Sequence, residues 1–388
     1  MNHYDYLIVG AGIIGMTIAY QLKKEYPNVL IGIVEKEADV AKHASGRNSG
    51  VLHAGFYYSA DSLKAKFTVD GNKRMKQFCA LHDIFVNEVQ KVVIVKDKKE
   101  LNGLYELEKR AIINSVDIEI IDEEQLEKID PNIRTYKKAL FSPTTACVDP
   151  KEVCYKLRDV LKDLGVIFYF NTKFEDSHHS YKYLINSAGS YADVIAQKFG
   201  LAKDYTMLPF KGIYFKYIGD KNAIQTNIYP VPNLTNPFLG VHYTITVDGS
   251  IKIGPTAIPA FWRENYKGFD NFNLNEMIKI LYYEIKLLTL NSFNFRELAI
   301  SEMRNYNKIF FVQKAKEMVK SIGDDFEPIP AGIRAQLLNT KTNELVQDFV
   351  IEHSSGSTHI LNAVSPAFTC SFAFAEHVVN EIDKNRGK

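Results

Sequence analysis

The chain opens on an apolar run, Asp5-Tyr6-Leu7-Ile8-Val9, whose β-branched and aromatic residues predict a short strand. Gly10-Ala11-Gly12-Ile13-Ile14-Gly15 comes next, and a helical pattern then runs through Lys24 until Pro27 and Asn28 break it. Val29 to Glu35 is again almost continuously apolar, as in a strand buried on both faces of a parallel sheet, so residues 1–35 read as one βαβ unit. The alternation returns further on. Asp149-Pro150 offers a helix cap with proline in the first turn, Gly165 supplies the stop, and Val166 to Phe174 reads as a strand. Tyr181 to Asn186 predicts another strand, running into Ser187-Ala188-Gly189 and a short helix that ends near Gly200. From Leu208 the texture becomes antiparallel: Asp248-Gly249 sits between two strand-like runs within 240–254, which signals a hairpin. Residues 274–304 read as helical, and Ile360 to Val364 is a strand. Ser365-Pro366 then opens a helix with Phe368, Phe372, Ala375 and Val379 at its apolar positions.

These elements predict an α/β plus α+β class. A discontinuous Rossmann-like lobe over 1–85, 146–206 and 326–388 holds an inserted, mainly antiparallel lobe over 86–145 and 207–325. A length of 388 residues exceeds what one core usually fills, which agrees with two lobes. The 47 Lys and Arg against 46 Asp and Glu leave no broad basic face, so nucleic acid is not an expected partner. Cys79, Cys147, Cys154 and Cys370 are scattered without C-x-x-C spacing, which suits a reducing compartment and neither a zinc site nor a disulfide framework. Tyr6 to Leu22 is interrupted by three glycines and lacks a preceding Lys or Arg, so it reads as neither signal peptide nor span. The expected location is cytoplasmic, with any membrane contact peripheral, at the inner face.

Gly10-x-Gly12-x-x-Gly15 alone is a weak pattern, but here it comes after a strand, opens a helix, and has Glu35 at the end of the next strand. In that setting the first glycine allows the tight turn, the second the approach of a pyrophosphate, and the third the packing of helix on strand. Unpaired N–H groups and the helix dipole favour the anion, with Ile13 and Ile14 in the first turn. Glu35 accepts from a ribose and argues against a 2′-phosphate, and Lys36 adjoins it. The motif does not separate NAD from FAD. The stretch Ser45-Gly46-Arg47-Asn48-Ser49-Gly50-Val51-Leu52-His53 does: it is small, polar and glycine-laden, suited to lie along an extended cofactor, and His53 emerges beside Phe56, Tyr57 and Tyr58. FAD is the expected cofactor.

These residues, with Leu63-Lys64-Ala65-Lys66, Asn186 to Asp193, Ile228-Tyr229-Pro230-Val231-Pro232, Pro237 to Thr244, Gly254-Pro255 and Gly332-Ile333-Arg334-Ala335-Gln336, resemble the L-2-hydroxyglutarate oxidase/dehydrogenase family within the D-amino-acid-oxidase-like flavoproteins. The likeness spans nearly the whole chain in order. It implies FAD in the parallel lobe, non-covalent binding being the expectation with covalent attachment left open, and substrate under the antiparallel lobe. Two positions depart from the family pattern: Lys211 stands where arginine is expected, and Cys370 where a small residue or serine is more usual.

Oxidising a 2-hydroxy acid requires a base for the hydroxyl proton and a clamp for the carboxylate, while the flavin accepts hydride. His53 is the candidate base, since imidazole titrates near neutrality. Its alternatives are a ring-orienting histidine and a covalent flavin attachment point, and His242 is the second choice for base. Arg334 offers a planar fork for the C1 carboxylate, against the alternative of a lobe-bridging ion pair. Lys211, Arg47, Lys64 and Lys252 are candidates for the far carboxylate. Tyr243 and Tyr229 can supply hydroxyls, or simply fill core. Cofactor contacts are further expected from Thr172-Lys173-Phe174, from Ala188-Gly189 along the ribityl or adenine side, from Gly332, and from Ser365-Pro366-Ala367-Phe368-Thr369, where a helix N-terminus can face the flavin pyrimidine edge. No metal motif is present. Trp262 reads as packing. Electrons would leave to oxygen or a membrane quinone, and oligomeric state stays open. The rival functions are a glycerol-3-phosphate oxidase or dehydrogenase, an amino-acid or amine oxidase, and a flavoprotein without catalysis.

Overall fold

In a computed structural model, which describes residues 3–232 and 240–386, the first 35 residues form the expected βαβ unit. His3–Val9 pairs in parallel with Ile31–Val34 on one side, Ile8 opposite Ile33, and with Ser180–Asn186 on the other, Ile8 opposite Ile185. Six strands complete this sheet in the order Val350–Ser354, Ser357–Asn362, Ser180–Asn186, His3–Val9, Ile31–Val34, Ile167–Tyr169, and only Val350–Ser354 runs antiparallel to its neighbour. Central strands of such a sheet are covered on both faces, which explains why Leu7, Ile8, Ile33 and Ile185 are all fully buried.

The helix Ile13–Glu25 packs so closely on that sheet that a Cβ added at Gly15 would lie 2.3 Å from the Gly10 carbonyl oxygen. The last helix, Ala367–Arg386, fits between Ile13–Glu25 and Leu63–Leu81. Phe78, Phe372, Phe374 and Val379 join one core there, each worth roughly 1.5–3 kcal/mol on burial. Asp149 caps Pro150–Asp163 as expected, accepting from the Lys151 amide. All four cysteines are free and buried.

The second sheet has ten strands and is antiparallel except where Asn227–Pro230 lies parallel to Lys91–Ile94. Its longest ladder joins Tyr205–Tyr217 to Phe326–Asn339, with a bulge between Gly212 and Tyr214. Phe326–Asn339, grouped on sequence with the nucleotide lobe, thus belongs by its hydrogen bonds to the antiparallel sheet, as does Glu344–Leu345. The hairpin forms with Ile245 opposite Ile251 and Gly249 at φ +73°. Two elements differ from expectation. The strand over 166–174 stops at Tyr169, because Asn171 takes a left-handed conformation, φ +53°, and turns the chain back over Glu35. The helical stretch 274–304 breaks at Asn291, φ +51°, into Leu274–Leu290 and Phe295–Arg304. Pro237 to Leu239 of the family-like segment lie outside the described residues.

The two sheets are bound to each other by an ion pair. Arg263 grips Asp193, on the helix Ala192–Lys198, with both guanidinium arms, Nη1 to Oδ1 at 2.7 Å and Nη2 to Oδ2 at 2.9 Å, and both side chains are buried. Asp193 Oδ2 also accepts from the Met207 amide at the start of the antiparallel sheet. Arg263 thus supplies a buried ion pair between the helix beside the parallel sheet and the segment after Ile258–Pro259.

Candidate active site

The parallel strands end at a cavity of about 810 Å³ that runs without interruption to the antiparallel sheet. At its nucleotide end stand Gly10, Gly12, Ile13, Ile14, Glu35 and Lys36. Gly10 has φ +99°, and a Cβ there would meet the Ser187 carbonyl oxygen at 2.7 Å, so only glycine lets the two strand ends close up beneath the cavity. Gly12 is the N-cap of the first helix and brings no side chain of its own, which leaves the helix end to a ligand. Glu35 is oriented by backbone: its Oε2 accepts from the Ala11 amide at 2.8 Å and its Oε1 from the Glu37 amide at 2.9 Å. Ser45 Oγ accepts from the Ile13 amide at 2.9 Å, which ties the polar segment to the cradle. A glycine floor, a helix N-terminus and a fixed carboxylate at the next strand end are what an adenosine diphosphate group requires, so the residues present fit FAD.

Arg47, Asn48, Ser49 and Val51 continue the lining, as do Thr172, Lys173 and Phe174, brought in by the turn at Asn171, and Ala188 and Gly189. Gly15 and Gly50 do not line the cavity. Gly15 serves the helix–strand contact, and Gly50, φ +77°, makes a turn where a Cβ would lie 2.1 Å from the Val148 carbonyl oxygen. Lys36 is engaged by Glu264, at 2.6 Å, and by Glu37 and His43. Its ammonium thus sits as the cation among Glu37, His43 and Glu264, the one trio of described residues grouped closely enough to hold a metal.

At the far end the cavity is lined by His53, His242, Tyr214, Tyr229 and Arg334, together with Gly332 and Ser365 to Thr369. Thr369, in the first turn of the last helix, accepts from the His53 amide at 3.2 Å and donates to the Val51 carbonyl at 3.3 Å. Asn72 donates to the carbonyls of Leu52 and His53, each at 3.1 Å, so the backbone around His53 is fixed from two helices. Burial, reinforced by Lys91, His242 and Arg334, holds the His53 imidazole well below its ordinary range, and it stays neutral at cellular pH. His242 is stacked on the Tyr229 ring, centroids 3.7 Å apart, and burial pulls its pKa down to about 3. Its Nδ1 donates to the Gly240 carbonyl at 2.9 Å, which leaves Nε2 as an acceptor. Arg334 hydrogen-bonds the half-buried Tyr214.

Several expected site residues are placed elsewhere. Tyr243 comes after His242 on the strand His242–Ile245 and so points to the opposite face, into the core with Val92, Ile94 and Ile253. Lys211 does not line the cavity, since it alternates with Gly212, and its Nζ donates to Asn265 Oδ1 at 3.2 Å. Lys64 and Lys252 also lie off the lining. Arg47 lines it, but its Nε donates to the Lys42 carbonyl at 2.7 Å and its guanidinium lies 4.3 Å from the Tyr266 ring. Cys370 packs against Thr68, and burial pushes its thiol up to about 12. At the far end Tyr214, two positions past the bulge glycine, joins the lining beyond the residues expected there, and Lys91, fully buried and off the lining, puts its Nζ 3.5 Å from His53 Nδ1. A lysine at the start of a strand ordinarily reads as solvated, and nothing in its spacing marks Lys91 as otherwise.

The family model for FAD dependent oxidoreductases, DAO, matches residues 5–381. The chain is 32% identical to the L-2-hydroxyglutarate dehydrogenase of Escherichia coli strain UMN026, over 98% of this chain and 93% of that protein. It is 36% identical to the mitochondrial L-2-hydroxyglutarate dehydrogenase of Caenorhabditis briggsae, over 97% and 93%. Among solved structures, FAD-bound L-α-glycerophosphate oxidase from Mycoplasma pneumoniae superposes with a TM-score of 0.75 at 20% identity, covering 99% of this chain and 95% of that one.

Proposed function

Because the chain belongs to the DAO family of FAD-dependent oxidoreductases, and within it to the family of the L-2-hydroxyglutarate dehydrogenases, we propose that it oxidises L-2-hydroxyglutarate to 2-oxoglutarate. Bound FAD supplies the hydride acceptor. Gly10, Gly12, Ile13, Ile14 and Glu35 would hold its adenosine diphosphate, and Ser365 to Thr369 its ring end, where a helix N-terminus favours negative charge.

The observation that carries the reading is the meeting of neutral imidazoles, His53 and His242, with the Arg334 guanidinium at the far end of the same cavity. His53 takes the C2 hydroxyl proton, its burial keeping it unprotonated and ready. Arg334 receives the C1 carboxylate in its planar fork, with Tyr214 steadying the guanidinium. His242 Nε2 accepts from a substrate hydroxyl or protonated group and is the second choice for base. For the far carboxylate, Arg47 is the remaining candidate of the four cations, because it alone of them lines the cavity. The fold is shared with a glycerophosphate oxidase and with glycine oxidases, so substrate must be tested directly. Anaerobic titration of the purified yellow protein should bleach the flavin with L-2-hydroxyglutarate, and far more slowly with its D-enantiomer, glycerol 3-phosphate or glycine. Equal or faster bleaching by glycerol 3-phosphate or glycine would overturn the assignment.

Electrons are then passed to oxygen or to a quinone, and we place the enzyme peripherally on an anionic bilayer. No helix among the described residues is long and apolar enough to cross a membrane. The outward face of Leu274–Leu290 carries exposed Leu274, Ile278, Tyr282, Ile285 and Leu288 at helical spacing, next to exposed Phe269. Exposed Lys279 lies on the same helix, and exposed Lys267 and Arg296 flank it in sequence, as basic residues do on an interfacial helix. Co-sedimentation with phosphatidylglycerol vesicles, lost in Ile278→Glu with Ile285→Glu, is the expected result. A monodisperse dimer that ignores vesicles would instead assign this face to a second copy of the chain.

A further inference from the structure

Lys91 is a fully buried lysine with no carboxylate beside it among the described residues, which is an arrangement that needs a reason. Its Nζ lies 4.3 Å from the centroid of the Tyr229 ring, 5.2 Å from that of Tyr57 and 5.6 Å from that of Phe56. Three aromatic faces around one amine favour its protonated form once water is excluded. The polar partner of this amine is His53 Nδ1, 3.5 Å away. The other titratable or charged groups around the pair are His242, Arg334 and the Cys147 thiol, which burial keeps protonated.

The two histidines of the cavity differ in what fixes their tautomers. His242 Nδ1 faces a carbonyl, which can only accept, so its proton stays on Nδ1. His53 Nδ1 faces an amine, which donates when charged and accepts when neutral. A charged Lys91 would fill the Nδ1 lone pair and force the proton onto Nε2, so that His53 could not take a proton from substrate. A neutral Lys91 accepts from Nδ1–H and leaves Nε2 bare.

We propose that Lys91 is the positioning residue for the base and its proton sink: when His53 Nε2 takes the substrate hydroxyl proton, the Nδ1 proton passes to Lys91 Nζ. The step rests on the reading of His53 as base. It breaks the substrate O–H bond and the Nδ1–H bond, forms Nε2–H and a fourth bond on Nζ, and moves one proton's charge and no electrons. The new ammonium stands within the aromatic cage, and the imidazole never accumulates as a cation. That matters because burial, with the Arg334 charge nearby, penalises a charged His53, which alone would be a weak proton acceptor. Exchange of the Nε2 proton with water after product leaves, with return of the Lys91 proton to Nδ1, resets the pair. Burial brings Lys91 down to about 7, so the amine is available above that pH and charged below it.

The test compares Lys91→Met, Lys91→Arg and His53→Ala holoenzymes, with flavin content and thermal midpoint as folding controls. The readout is the rate of anaerobic bleaching by L-2-hydroxyglutarate across pH 5.5–9, which are experimental settings of about one to two units either side of neutrality. Wild type should gain rate as pH rises through about 7, the value to which Lys91 is lowered. Lys91→Met should lose about 10-fold or more at the alkaline plateau, the lower scale of acid–base effects, and lose that limb. Lys91→Arg, permanently charged, should be at least as slow as Lys91→Met. Recovery by Lys91→Arg, or an unchanged rate and limb in Lys91→Met, would overturn the proposal. A fast His53→Ala would instead overturn the reading of the base on which it rests. If neither Lys91 variant folds, nitrogen-15 shifts of wild-type His53 decide: Nδ1–H above neutral pH with Nε2–H below supports the relay, and Nε2–H throughout the active range removes it.

Discussion

The two ends of the cavity are built from different materials. The nucleotide end is mostly backbone: glycines without Cβ atoms, a helix N-terminus, and a carboxylate held by two amides. The far end is mostly side chain: two imidazoles, two tyrosines and a guanidinium delivered by strands of a different sheet and by the segment before Leu63. Backbone geometry tolerates little substitution and binds a constant group, whereas side chains on strands can be exchanged without disturbing the ladder. One fold can therefore keep its cofactor while its substrates vary.

Three substitutions would break or sharpen that division, in descending order of effect. Gly15→Val forces atoms into the Gly10 carbonyl and the Ser187 hydroxyl, 2.3 and 2.5 Å from even a Cβ, and should abolish flavin retention altogether, seen as colourless protein after gel filtration. His53→Ala should leave flavin content unchanged and slow anaerobic bleaching by about 100-fold or more, the usual scale of a lost general base. Flavin loss in that variant would show that the ends are not separable. Thr369→Val removes the hydrogen bonds linking the last helix to His53 and Val51, and should cost about 0.5–1.5 kcal/mol in denaturant unfolding with a several-fold slower rate.

The same division explains what the sequence revealed. Gly10, Gly12, Gly15 and Glu35 act through local backbone at fixed spacing, so their places were legible without the fold. His53 and Arg334 were legible as chemistry, and the fold brings both to one cavity. Strand facing was harder. Period-two alternation excludes Tyr243 once His242 is known to face the cavity, but which of the pair faces it depends on the sheet's partners. Lys211 is a parallel case: it lies off the lining while Gly212 and Tyr214 lie on it. The burial of Lys91 is not legible in the sequence, because it comes from Phe56, Tyr57 and Tyr229, remote in sequence, the last brought alongside by the parallel pairing of Lys91–Ile94 with Asn227–Pro230. The false strand extension past Tyr169 reflects a turn that one asparagine makes.

The four free cysteines give the molecule a built-in reporter. Cys79, Cys154 and Cys370 share the core of the parallel lobe, and Cys147 sits in the strand that pairs with the segment leading to His53. None meets solvent in the native state, so an alkylating reagent can reach them only through opening motions, and the order in which they react would chart which part of the protein loosens first.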